Sequence, residues 1–100
     1  MPKENSNIKE RNKSVIKEPS QYSVVFHNDD FTPMEFVTLI LERIFFKNEE
    51  QAIQLMLKVH HEGEAVVGIY SYDIAASKAA TATNIARQNG FPLRISVNKV

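Results

Sequence analysis

Between Tyr72 and Asn89, alanine recurs at helical spacing as Ala75, Ala79, Ala82 and Ala86, with Ile74 and Ile85 beside the stripe. A helix whose inward stripe is only methyl groups buries well only where the opposing surface comes close, because a short side chain cannot reach across a gap. That constraint points to a helix laid directly on a sheet. The strand-like segments around it supply that sheet.

The rest of the chain divides accordingly. Tyr22 to His27 is β-branched or aromatic and reads as a strand, broken by Asn28-Asp29-Asp30. Thr32-Pro33-Met34-Glu35 predicts a helix start, with Thr32 as cap, Pro33 in the first turn and Glu35 closing a capping box. Met34, Val37, Ile40, Leu41, Ile44 and Phe45 follow at helical spacing. Asn48 with Gln51 marks a second helix, whose expected apolar face is Ala52, Ile53, Met56, Leu57, Val59 and His60, stopped by Gly63. Ala65 to Tyr70 reads as a strand, the alanine-striped helix comes next, and Gly90 and Pro92 end it. Leu93, Ile95 and Val97 then alternate as a last strand. The order is β-α-α-β-α-β. The predicted fold class is α+β, a three-stranded antiparallel sheet with three helices on one face.

Residues 1 to about 20 are rich in Lys, Glu, Asn and Ser, with Ile8, Val15 and Ile16 as their only large aliphatics. Such a stretch buries too little to offset its ordering entropy, so the expectation is a flexible arm at 1–20 and one folded domain at 21–100. Twelve basic and twelve acidic side chains cancel, leaving formal net charge 0 and no electrostatic argument for nucleic acid or a membrane surface. Cysteine is absent, which excludes disulfides and thiolate metal sites. The start carries no apolar leader and no run is long enough to span a bilayer, so a cytoplasmic protein is expected.

No nucleophile elbow, zinc-protease helix or phosphate loop occurs, and no catalytic residue, metal or cofactor is expected. His60 and His61 are adjacent and diverge by about 100° on a helix, so they cannot face one ion together. Asn28-Asp29-Asp30 has a common structural explanation as a turn, since Asn and Asp side chains bond nearby amides. His60 likewise reads as an ordinary histidine on an apolar helix face, and Met34 and Met56 as core filler.

Taken together, these segments carry a resemblance. Asn28-Asp29-Asp30-Phe31-Thr32-Pro33-Met34-Glu35-Phe36-Val37 is similar to the N-D-D-[YF]-T-P-M-E-F-V signature of the ClpS family of ATP-dependent Clp protease adaptors. Ala52, Met56, Val59-His60 and Gly63 fit that family's A-x-x-x-M-x-x-V-H-x-x-G helix, and Pro92-Leu93 its final strand. The match runs over about residues 20 to 98 in order, which is far more specific than a single short motif. The family fold agrees with the element order above and resembles a ribosomal stalk protein C-terminal domain.

The resemblance implies a non-enzymatic adaptor that binds proteins with N-terminal Leu, Phe, Tyr or Trp. An α-ammonium has three donors and no acceptor, so its site must supply acceptors. The family's ligands fall here on Asn28, Asp29 and His60, with Asp30 and Thr32 holding the loop and contacting the substrate backbone. To accept from an ammonium, the His60 nitrogen must be unprotonated. The side-chain pocket falls on Met34, Val37, Met56, Val59 and Leu93. Docking to the N-terminal domain of a ClpA unfoldase, or of a ClpC-type one, falls on Asp73 and Lys78, where Asp73 stands one methylene short of the family's glutamate. The adaptor is expected to act as a monomer. Two other classes compete: a stalk-type interaction module, which wants a helical dimerising N-terminus and a basic docking helix, and an enzyme using His60 and Asp29, which lacks a nucleophile.

Overall fold

The computed structural model describes residues 19–100. The arm expected over 1–20 therefore lies outside the described residues except for Pro19 and Ser20. Six elements follow: β1 (Gln21–His27), α1 (Met34–Arg43), α2 (Glu49–Glu62), β2 (Glu64–Ser71), α3 (Tyr72–Gln88) and β3 (Arg94–Lys99). β1 lies between β2 and β3 and pairs antiparallel with both. The element order and sheet are those expected from the sequence.

β1 is central because it is apolar on both faces. Val24 and Phe26 face the helices and are fully buried, while Val25 is buried on the opposite face. Against them pack Val37, Ile40 and Leu41 of α1, Ala52 and Val59 of α2, and the stripe Ala75, Ala79, Ala82 and Ala86 of α3, all buried. The close approach read from the alanines is realised. The flanking expectations are not all met, since Ile53, Leu57 and Ile74 are exposed and Leu55 packs inward instead.

Two local expectations need correction. Thr32 is not the cap of α1. Pro33 takes that position in extended conformation with no side-chain cap, and its carbonyl accepts from the Phe36 and Val37 amides at 3.1 and 3.2 Å. The Thr32 hydroxyl donates to Asp29 instead. The helix also ends before Ile44 and Phe45. Phe46 follows with φ +57°, and the Lys78 ammonium donates to the Ile44 carbonyl at 2.8 Å. By contrast, the Asn48–Gln51 capping box of α2 is complete, and Gly63 closes that helix at φ +91°.

The β1–β2 register slips between Val24, opposite Gly68, and Val25, opposite Val66, so Val67 has no partner and turns into the core. Past this bulge the Tyr70 ring lies over Gly68, where an added Cβ would stand 2.6 Å from ring carbons. That ring is also 5.5 Å from the Lys78 ammonium. Gly68→Ala should push Tyr70 aside and destabilise the domain by about 1–3 kcal/mol, lowering Tm by about 4–8 °C per kcal/mol. An unchanged melt would contradict this packing.

Candidate functional site

The loop between β1 and α1 is built around one carboxylate. Asp29 Oδ1 accepts from the backbone amides of Phe31 at 2.8 Å and Thr32 at 2.7 Å, and Oδ2 accepts the Thr32 hydroxyl at 2.7 Å. The turn explanation for Asn28-Asp29-Asp30 is therefore correct as far as it goes. Partial burial pushes the Asp29 carboxyl up, but the Thr32 hydroxyl, the Thr32 and Phe31 amides and the charge of Arg87 outweigh it and hold it below the usual carboxylate range.

A second tie brings the loop to α2. The Asn28 amide donates to the Gly63 carbonyl at 2.8 Å. The left-handed turn at Gly63 directs that carbonyl back towards β1, and it places His60, one turn earlier on α2, beside the loop.

The result is a concavity of about 240 Å³. Its polar end is lined by Asn28, Asp29, Asp30, Thr32 and His60, and its apolar wall by Met34, Val37, Met56 and Val59. Nine of the ten residues expected to hold a substrate's first residue thus converge. Leu93 does not. It precedes β3 rather than belonging to it, is 1% exposed, and is packed into the core. Its carbonyl accepts from Arg87 at 2.8 Å.

The arrangement has one chemical character. Asn28 and His60 are exposed and carry acceptors, Asp29 and Asp30 supply negative charge, and the apolar wall lies alongside. Such a surface suits a cation attached to a hydrophobic group. Among the described residues no group of three or more His, Asp or Glu side chains is placed to hold a metal ion. His60 and His61 stack edge to face with ring centroids 5.2 Å apart.

The two residues expected to dock an unfoldase sit on α3. Asp73 is exposed in its first turn. Lys78 is half-buried, and besides the Ile44 carbonyl its ammonium meets the Phe46 ring at 4.4 Å. His27, to which sequence reasoning attached no role, ties the sheet together at the site's end. Its Nε2 lies 2.8 Å from Ser96 Oγ, and its Nδ1 is 3.3 Å from both Arg94 and Glu64.

Comparison with known proteins turns this geometry into a family assignment. Residues 17–96 match the family model described as ATP-dependent Clp protease adaptor protein ClpS. The ATP-dependent Clp protease adapter protein ClpS of Burkholderia mallei (strain SAVP1) is 49% identical over 92 residues, covering 92% of this chain and 88% of that protein. The corresponding protein of Burkholderia thailandensis is 50% identical with the same coverage. A solved structure of Agrobacterium tumefaciens ClpS2 bound to L-phenylalaninamide superimposes with a TM-score of 0.81 at 38% identity, over 83% of this chain and all of that one.

The fold, the site and these relatives define a protease adaptor, a class of binding proteins without catalysis of their own. Within that class, the chain belongs to the ClpS family. Among the described residues, no helix is long and apolar enough to cross a membrane.

Proposed function

We propose that this adaptor captures proteins whose first residue is Leu, Phe, Tyr or Trp and delivers them to the N-terminal domain of a ClpA or ClpC-type unfoldase. The observation that supports it best is the convergence of ammonium acceptors and a methionine-bearing apolar wall in one concavity. L-phenylalaninamide, the molecule bound by the Agrobacterium relative, joins an α-ammonium to a benzyl group, the two features such a site suits. In this reading Asn28 and His60 accept from the ammonium, with His60 neutral. Asp29 and Asp30 supply charge complementarity, and Asp29 and Thr32 shape the loop. Met34, Val37, Met56 and Val59 cover the side chain, whose burial contributes about 1.5–3 kcal/mol. Methionine suits a pocket that must fit both Leu and aromatic rings, being flexible and polarisable. Docking falls on Asp73 and Lys78 of α3, with the exposed Phe46 ring beside Lys78.

The decisive experiment compares a peptide beginning with Phe with its N-acetylated twin by fluorescence anisotropy. Acetylation removes the charge and leaves the side chain, so a loss of about 100-fold or more is expected from charge-assisted bonds of about 1.5–3 kcal/mol each. Equal affinities would sink the assignment. Delivery is tested separately. Deleting residues 1–18 should leave peptide binding intact but stop degradation by purified unfoldase and peptidase, since so polar a segment is unfit for the core. Unimpaired degradation by the shortened chain would remove that segment from the mechanism.

A further inference from the structure

We infer that the groove between α1 and α2 is a second subsite, for the substrate residues that follow the first, and that it takes an apolar residue followed by a lysine or arginine. The inference rests on the first-residue reading above and extends it. The groove has a volume of about 520 Å³, roughly twice that of the first concavity, and the two share Met34 and Met56 as a common wall. A chain leaving the first site over those methionines enters the groove directly.

Its lining changes along its length. Next to the methionines lie Leu39 and Ile53, each 39% exposed, two large apolar side chains left open to water on facing helices. Glu42, near the end of α1, and Glu49, at the start of α2, line the groove away from Met34, and Glu35 stands next to Met34. Among the described residues no basic side chain lines the groove. Among the described residues the single ion pair joins His27 and Glu64, so all three glutamates lack a basic partner. An apolar floor ending in two unpaired carboxylates is complementary to an apolar residue followed by a cation.

Spacing sets the positions. Met34 to Glu42 spans eight helical steps, about 12 Å at 1.5 Å each. An extended peptide covers that distance in about four residues at about 3.3 Å each. The second or third substrate residue then lies over Leu39 and Ile53, and the fourth or fifth reaches Glu42 and Glu49.

The test uses the full chain and peptides that begin with Phe and differ only in Lys or Glu at positions four and five. The Lys peptide should bind about tenfold tighter at low ionic strength, and the difference should shrink as salt shortens the screening length. The double variant Glu42→Lys, Glu49→Lys should reverse the order while binding L-phenylalaninamide as the unmodified chain does. Ile53→Asp should weaken both peptides and spare L-phenylalaninamide.

Equal binding of the two peptides by a chain that binds L-phenylalaninamide overturns the subsite and leaves the first-residue reading standing. Failure to bind L-phenylalaninamide removes both. A Lys preference that survives the double charge reversal places the attraction elsewhere, at Asp29 and Asp30, and also overturns the proposal. A preference that emerges only once residues 1–18 are deleted overturns it in favour of the chain's own lysine-bearing N-terminal segment as occupant.

Discussion

Asp29→Ala is expected to lower affinity for a peptide beginning with Phe by about 100-fold or more and to destabilise the domain by about 1–3 kcal/mol. The carboxylate does two things at once. Its oxygens take up the amides of Phe31 and Thr32 and the Thr32 hydroxyl, which fixes the path of the chain from β1 into α1. Its charge also remains at the mouth of the site, where the substrate's ammonium must lose part of its hydration. Alanine removes the charge and leaves two amides without their acceptor. Asp29→Asn separates the effects, because the amide oxygen still accepts while the charge is gone. It should recover part of the stability and little of the binding.

The acid response follows from the same contacts. Asp29 titrates below the ordinary carboxylate range, so its contribution to stability is fully present above about pH 4. That contribution is lost as pH falls through the lowered native value. Denaturant melts at pH 7, 4 and 2 should show the gap between wild type and Asp29→Asn closing only at the acid end. A gap that closes already between pH 7 and 5 would mean that other groups hold the loop.

Met34→Ala is expected to admit peptides beginning with Ile or Val, raising their affinity by about tenfold or more while Leu and Phe change little or weaken somewhat. Met34 opens α1 directly after the recognition loop and lines the concavity. Leu, Phe, Tyr and Trp carry one heavy atom on the β-carbon beyond the backbone, and Ile and Val carry two. A methionine beside that carbon leaves no room for the second branch. Met34 is 41% exposed, so truncation empties little of the core and should cost less than about 1 kcal/mol of stability. Melting temperature measured with affinities for the four peptides decides the matter. A uniform loss across all four, with a lowered melt, would show Met34 to be structural filler.

Much of the fold was legible because its signals are local. The alanine stripe of α3, the Asn48–Gln51 box and the Gly63 stop each act within a few residues, and each stands where the sequence placed it. The start of α1 was misread because two local rules competed. Thr32 is a good cap by type, yet Asp29 lies within reach of the same hydroxyl and offers a charged acceptor, which makes the stronger bond. Ile53 and Leu57 were misassigned because helical periodicity tells which residues share a face, not how wide the covering surface is. Resemblance singled out the residues that line the concavity, and how they are brought together was not legible. The Asn28–Gly63 bond joins segments far apart in the chain, and no spacing rule anticipates it. Leu93 fits the motif and is buried in the core, and it is not among the residues that line the concavity.

The strand at the centre of the sheet comes first in the folded domain, and one of its two neighbours comes last. During synthesis β1 therefore waits with an open edge until β3 has emerged, and the amide of Val100 then closes on the Gln21 carbonyl at 2.9 Å. The recognition loop is suspended from the far end of that strand, where His27 is held by Ser96 and Arg94 of β3. A nascent chain in which β3 is still inside the exit tunnel lacks those contacts, and its binding loop keeps only its own Asp29 bonds and the Asn28–Gly63 tie. Full competence to bind then arrives with β3, and pairing so distant in sequence is slow to form. Chains stalled before residue 94 should fail to retain an N-terminal Phe peptide, and the same chains extended past residue 100 by a linker long enough to clear the tunnel should retain it.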